Sequence, residues 1–166
     1  MAVHITSAQA LWFLPFVLPI CLWVVWSDLR SMKIPNKAVL ALLAVFAVFG
    51  FIALPLEDYP WRWLYFLIVL TIGIFANAAG LMGAGDSKFL AAAAPFIDPG
   101  DLALISMIFA TNTVACYVTH RIVKHSPLRA MAPTWESWSS GNKFPMGFAL
   151  GSSLVIYLGF GAVLGQ

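Results

Sequence analysis

Five apolar stretches, 9–27, 38–56, 63–82, 102–119 and 146–165, are each close to the length of a membrane crossing. At a rise of about 1.5 Å per residue, roughly 20 helical residues cover the ~30 Å hydrocarbon core. Within lipid every backbone N–H and C=O must be paired inside the chain, so stretches like these fold as helices. Of the 166 residues, 61% are hydrophobic and 10% charged, against about 45–50% and about 25% in soluble domains. One all-α, polytopic helical bundle is therefore expected, a single integral-membrane domain over residues 1–166. No Lys or Arg precedes the first apolar stretch, which reads as a span rather than a signal peptide.

A sixth stretch, 87–97, is apolar and Ala-rich, but as a helix it covers only about 16 Å. The distribution of basic residues decides whether it crosses. If it does, one face holds Arg30, Lys33, Lys37, Lys88, Arg121, Lys124, Arg129 and Lys143, eight of the nine basic residues. The other face keeps only Arg62, with Glu57, Asp58, Asp98 and Asp101. If it does not, the split is four against five and the bias vanishes. Six spans follow, the short fourth helix being extended by its flanks or recessed in the bundle. Both termini then lie outside, and the basic face is cytoplasmic. Asp98-Pro99-Gly100-Asp101 suits a tight outer turn.

Only seven residues are Asp or Glu, and two of them, Asp28 and Asp86, sit where apolar segments meet polar ones. The six-span topology puts both at the cytoplasmic face. A charged side chain at mid-bilayer costs about 2.5–3.5 kcal/mol on insertion scales, and less near the interface. Read alone, Asp28 is an interfacial acid able to pair with Arg30 or Lys33. Asp86 closes Gly83-Ala84-Gly85-Asp86 and alone reads as the N-cap of helix four, where the helix dipole favours an acid. Lys88 either tunes that carboxylate or snorkels to the interface. Pro35 is placed to start the second helix.

Taken together, these segments are more specific. Asp28, five residues, then Ile34-Pro35-Asn36, followed by Gly-x-Gly-Asp-x-Lys (Gly83 to Lys88) before an Ala-rich helix, resembles the type IV prepilin peptidases. These are membrane aspartyl proteases of the GxGD type. Pro145-Met146-Gly147 is similar to the Pro-x-Gly entry to that family's last helix. The resemblance runs over nearly the whole chain and is closest to the short members serving Flp/Tad-type pili. It implies that Asp28 and Asp86 are catalytic, with Gly83, Gly85, Lys88, Ile34, Pro35, Asn36, Pro145 and Gly147 shaping the site. It implies a bacterial inner-membrane endopeptidase that cuts the leader of a prepilin or pseudopilin at the cytoplasmic face, commonly after a glycine. Its partners would be that substrate, the bilayer, and pilus or secretion assembly machinery. No cofactor or metal is expected. Longer members carry paired CxxC motifs and N-methylate the mature pilin. Here about ten residues without cysteine join the first two spans, so methyltransferase activity is not expected. Ala94-Pro95 departs from the small residues common in relatives and is expected to kink or end the helix.

Two carboxylates a few ångströms apart cannot both ionise readily, so one can hold a proton while the other activates water. Rival chemistry is weak. His120 and His125 are not spaced to ligate a metal from one helical face and read as loop residues, with His4 remote. Ser87 and Lys88 are adjacent and point apart on a helix. HExxH, GxSxG and P-loop motifs are absent, and the charge of +2 without a basic run is too small to argue for nucleic acid, so no nucleic-acid partner is expected. Cys21 and Cys116 lie in apolar stretches and suit core packing. Asn77, Thr111, Asn112 and Thr113 are expected to bond between helices. Trp12, Trp61 and Trp63 are expected as outer interface anchors, and Trp26, Trp135 and Trp138 as inner ones. The competing functions are a non-catalytic scaffold for pilus assembly and a small proton-coupled transporter. The transporter requires acids on a through-path at mid-bilayer rather than at one face.

Overall fold

The computed structural model describes residues 3–141 and 143–165. Six helices follow in order: α1 Ser7–Ser31, α2 Asn36–Ala53, α3 Tyr59–Ala78, α4 Ala84–Ala93, α5 Leu102–Lys124 and α6 Met146–Leu164. There is no strand among the described residues; only an isolated bridge pairs Val3 with Gly165. The all-α polytopic bundle expected from the sequence is what forms. Five helices are long and apolar enough to cross a membrane; α4 is not among them.

The helix ends follow local chemistry. Thr6 caps α1 in a reciprocal box with Gln9, each side chain accepting from the other's backbone N–H at 3.2 Å. Met32 closes α1 in the left-handed conformation, with φ 53°. Pro35 caps α2, which therefore starts at Asn36. A π-helical turn, Phe46–Gly50, interrupts α2, and Phe46 there packs among the rings of Phe13, Tyr59, Trp63 and Phe96. After Ala93 the chain tightens into a 3₁₀ turn, Ala94–Phe96, so Pro95 does end α4 as expected.

Although short, α4 traverses the bundle. It runs beside α3 with Phe89, Ala91, Ala92 and Ala93 buried, which is the recessed arrangement. Its far end is reached by a residue one turn inside α3. The Arg62 guanidinium donates to the Ile97 carbonyl and pairs with Asp98 at 2.6 Å. Asp101, 1% exposed, accepts from the backbone N–H groups of His4 and Ile5 and from the Tyr157 hydroxyl, each at 2.9 Å. Residues 3–7, 59–62, 98–101 and 157–165 thus share one end of the bundle, held by this network and by Ser7 Oγ donating to the Gly165 carbonyl. The core between the ends is mainly α1 against α6, with α2 and α4 flanking. In contrast, α5 packs on α6 and stands off from α3 and α4.

Several sequence expectations change. His120 is no loop residue: it lies on α5, 3% exposed, stacked on Trp138 with ring centroids 5.0 Å apart. Trp138 is buried, its indole N–H donating to the Ala132 carbonyl, so it is no free interface anchor, while Trp63 is half-buried against Phe46 and Tyr59. Trp12, Trp26 and Trp61 are exposed, as anchors must be. Of Asn77, Thr111, Asn112 and Thr113, Asn112 alone bonds to another helix, donating to Ala149, Ser152 and Ser153. Thr111 and Thr113 bond back to carbonyls of their own helix, and Asn77 donates to Met82 O at the end of α3.

Candidate active site

At the end of the bundle opposite the Asp101 network, three chain reversals converge. Asp28 stands on the last turn of α1, 5% exposed. Its Oδ2 accepts the backbone N–H of Gly147 at 2.6 Å, at the start of α6. A Cβ at position 147 would fall 2.9 Å from that same oxygen, so the close approach requires glycine. Pro145 caps α6 and delivers Gly147 to this point.

The helix α4 begins at Gly83 in extended conformation, which makes Gly83 the N-cap and Asp86 the third helical residue. Asp86 is therefore not the cap itself, although it stays in the first turn, where the helix dipole favours a carboxylate. A Cβ at position 83 would meet Asp86 Oδ2 at 2.8 Å. Each aspartate thus has a glycine that clears space for its carboxyl group. Gly85 lies against Ile34, a Cβ there falling 3.4 Å from the Ile34 Cβ. Lys88 Nζ donates to Asn36 Oδ1 at 3.2 Å, tying α4 to the start of α2.

Asp28 and Asp86 line one cavity of about 500 Å³, together with Ile34, Asn36, Gly83, Gly85 and Lys88. Lys33 and Lys143 line it as well. No lysine neutralises either acid: the one ion pair among the described residues is Arg62–Asp98, at the far end. This overturns the reading of Asp28 as an acid paired with Arg30 or Lys33. Met32, Phe144 and Met146 add apolar wall beside Ala84. Sequence reasoning missed them because an apolar residue at a cavity looks no different from one facing lipid. It named Gly147 but not its role, since a backbone N–H donor leaves no mark in side-chain chemistry.

The other candidates disperse. Ser87 Oγ donates to Gly83 O while Lys88 reaches Asn36, so they form no dyad. His4 is at the opposite end, beside Asp101. No group of three His, Cys, Asp or Glu suited to a metal occurs among the described residues. Asp28 and Asp86 thus line one cavity from two different helices, and neither is in an ion pair among the described residues.

The fold and this cavity define a multi-pass membrane protein with an aspartate pair at one end of its helices. The sequence model of the type IV leader peptidase family matches residues 15–119, and the chain belongs to that family. The matched region holds both aspartates and stops short of Gly147. No curated protein matches the chain, and no solved structure does either. Membership implies leader-peptidase activity, and hence a protease.

Proposed function

We propose that the chain is an aspartyl endopeptidase in which Asp28 and Asp86 form the catalytic dyad. The observation that carries this is the shared cavity: two acids from distant motifs, each cleared by its own glycine, with no cation neutralising either. One carboxyl group holds a proton while the other, ionised, takes a proton from water. The resulting hydroxide forms a C–O bond to the scissile carbonyl carbon, and the protonated acid stabilises the developing oxyanion. As the C–N bond breaks, a proton passes from the dyad to the leaving amine, which releases a carboxylic acid and a free amino terminus. The two acids act as a unit, and their protons belong to the pair rather than to either residue. Hydrolysis consumes water, which the hydrocarbon lacks and a cavity at the helix ends can supply.

The aspartate end carries the eight basic residues named above, so by the positive-inside rule it faces the cytoplasm of a bacterial cell, with both termini outside its inner membrane. The substrate is the leader of a prepilin or pseudopilin, released for pilus or secretion assembly. Only residues 32–35 separate α1 from α2, and no CxxC pair occurs there. This suits a short, Flp/Tad-type peptidase of one domain without methyltransferase activity. Co-expression with a candidate prepilin tests the reading: intact mass of the pilin should drop by the leader, with the new terminus one residue past a glycine. An unprocessed pilin across such candidates would overturn it.

A further inference from the structure

A row of rings ties the segment between α5 and α6 to both sides of Asp28. His120, buried near the end of α5, stacks on Trp138. Trp138 ends the 3₁₀ turn Glu136–Trp138 and stacks on Trp135, with centroids 5.6 Å apart and planes 16° from parallel. Trp135 in turn meets Trp26 of α1 edge to face at 6.1 Å. The His120 ring also meets Phe144 edge to face, at 6.0 Å, and Phe144 packs on Tyr117 at 5.7 Å.

The two ends of this row bracket the acid. Trp26 stands two residues before Asp28 on α1. Phe144 lines the aspartate cavity and stands three residues before Gly147, whose N–H holds Asp28 Oδ2. Pro145 lies between them with its φ fixed by the ring, so a shift of Phe144 passes into the first turn of α6 with little slack. His120 itself lines no part of the cavity.

Little else holds the segment in place. Among the described residues one hydrogen bond joins 132–141 to a helix, from Lys124 Nζ to the Gly141 carbonyl, and it is exposed. Ring pairs favour particular offsets and angles, whereas burial of aliphatic surface is non-directional. The rings therefore set the position of the segment as well as covering apolar surface. The buried Nε2 of His120 has no hydrogen-bond partner among the described residues, so the contact is made by the ring rather than by that nitrogen. Phenylalanine can take over such a contact; leucine cannot.

Building on the peptidase reading, we propose that His120 is a positioning residue for the reaction. Through Trp138 and Phe144 it braces α5 against the end of α1 and the start of α6, and so holds Asp28 and its Gly147 donor in register.

The test compares His120→Phe with His120→Leu in the full-length protein reconstituted in bilayers. Both replacements are apolar and leave no unpaired buried nitrogen, so both should stay folded by thermal unfolding. The first readout is amide exchange over residues 143–150, which needs no substrate. His120→Leu should speed exchange at Gly147 about tenfold, with His120→Phe near wild type and the Asp101 end unchanged in both. The second readout is leader removal. His120→Leu should lower kcat about tenfold at unchanged KM, as a misplaced acid does, and His120→Phe should restore it. Trp135 is half-buried and gives the same comparison with less at stake for folding: Trp135→Leu should act as His120→Leu does, and Trp135→Phe should not. With an active wild type, equal exchange in the Phe and Leu variants, equal kcat, or a loss confined to KM would overturn the inference. If exchange separates the variants while the wild type leaves every prepilin uncut, the brace stands and the peptidase reading fails.

Discussion

Replacing Gly147 by alanine should disable cleavage without unfolding the protein. The added methyl would lie 2.9 Å from Asp28 Oδ2, 3.0 Å from its Cβ and 3.1 Å from its Cγ. Those separations are several tenths of an ångström inside ordinary carbon contact, and they fall on a carboxyl group already anchored at 2.6 Å to the same residue's N–H. Relief comes from α6 backing away from α1 or from Asp28 rotating off the donor. The first is opposed by the main helix pair of the core. Overpacking of this kind costs about 1–3 kcal/mol, and a lost hydrogen bond to a charged acceptor costs about 1.5–3 kcal/mol. A displacement of the acid by ~1 Å is enough to slow a reaction by about 10²-fold. Gly159→Ala is the matched control on the same helix, because nothing lies within 4 Å of a Cβ there. The assay is the initial rate of leader removal in bilayer discs, with thermal unfolding followed in parallel. Expected are a loss of about 10²-fold for Gly147→Ala and no change for Gly159→Ala. A folded Gly147→Ala protein with undiminished rate would refute the contact argument.

Gly83→Ala should slow the reaction for the same reason, its methyl reaching Asp86 Oδ2 at 2.8 Å; wild-type rates would rule that out. Lys88→Met removes the bond to Asn36 and should cost about 0.5–1.5 kcal/mol of transition-state stabilisation, read as kcat/KM, since the bond is exposed and carries positioning only. Arg62→Met breaks the buried pair with Asp98 at the far end. It should lower stability by about 3 kcal/mol, since Asp98 keeps some solvent access, while molecules that remain folded cut normally. Tyr157→Phe takes one of three donors from buried Asp101 and should cost about 1–3 kcal/mol in the same unfolding assay.

The bundle was legible in the sequence because lipid imposes two simple signals, apolar length and the sidedness of basic residues. The same charge count required α4 to return the chain, and Arg62 reaching Ile97 and Asp98 is the physical form of that return. The aspartates were legible because an acid at a span end is costly and because two glycines closely precede Asp86. What escaped is long-range and has no period. Asp101 read as an outer turn residue, yet it gathers donors from 56 to 97 positions away. Asn112 and Thr111 look alike as polar residues in one span, and only the facing serines of α6 distinguish them. His120 read as a loop residue because its burial depends on Trp138 folding back over it.

Joint activation of water by Asp28 and Asp86 is tested most directly by the single-turnover rate of leader removal by purified Asp28→Asn and Asp86→Asn proteins. Asparagine keeps the shape of each side chain but can neither accept the water's proton nor donate one as an acid. Each single variant is expected to bind substrate, stay folded and lose cleavage to about the level of the double variant, as residues acting as a unit do. Wild-type processing by either single variant would contradict it.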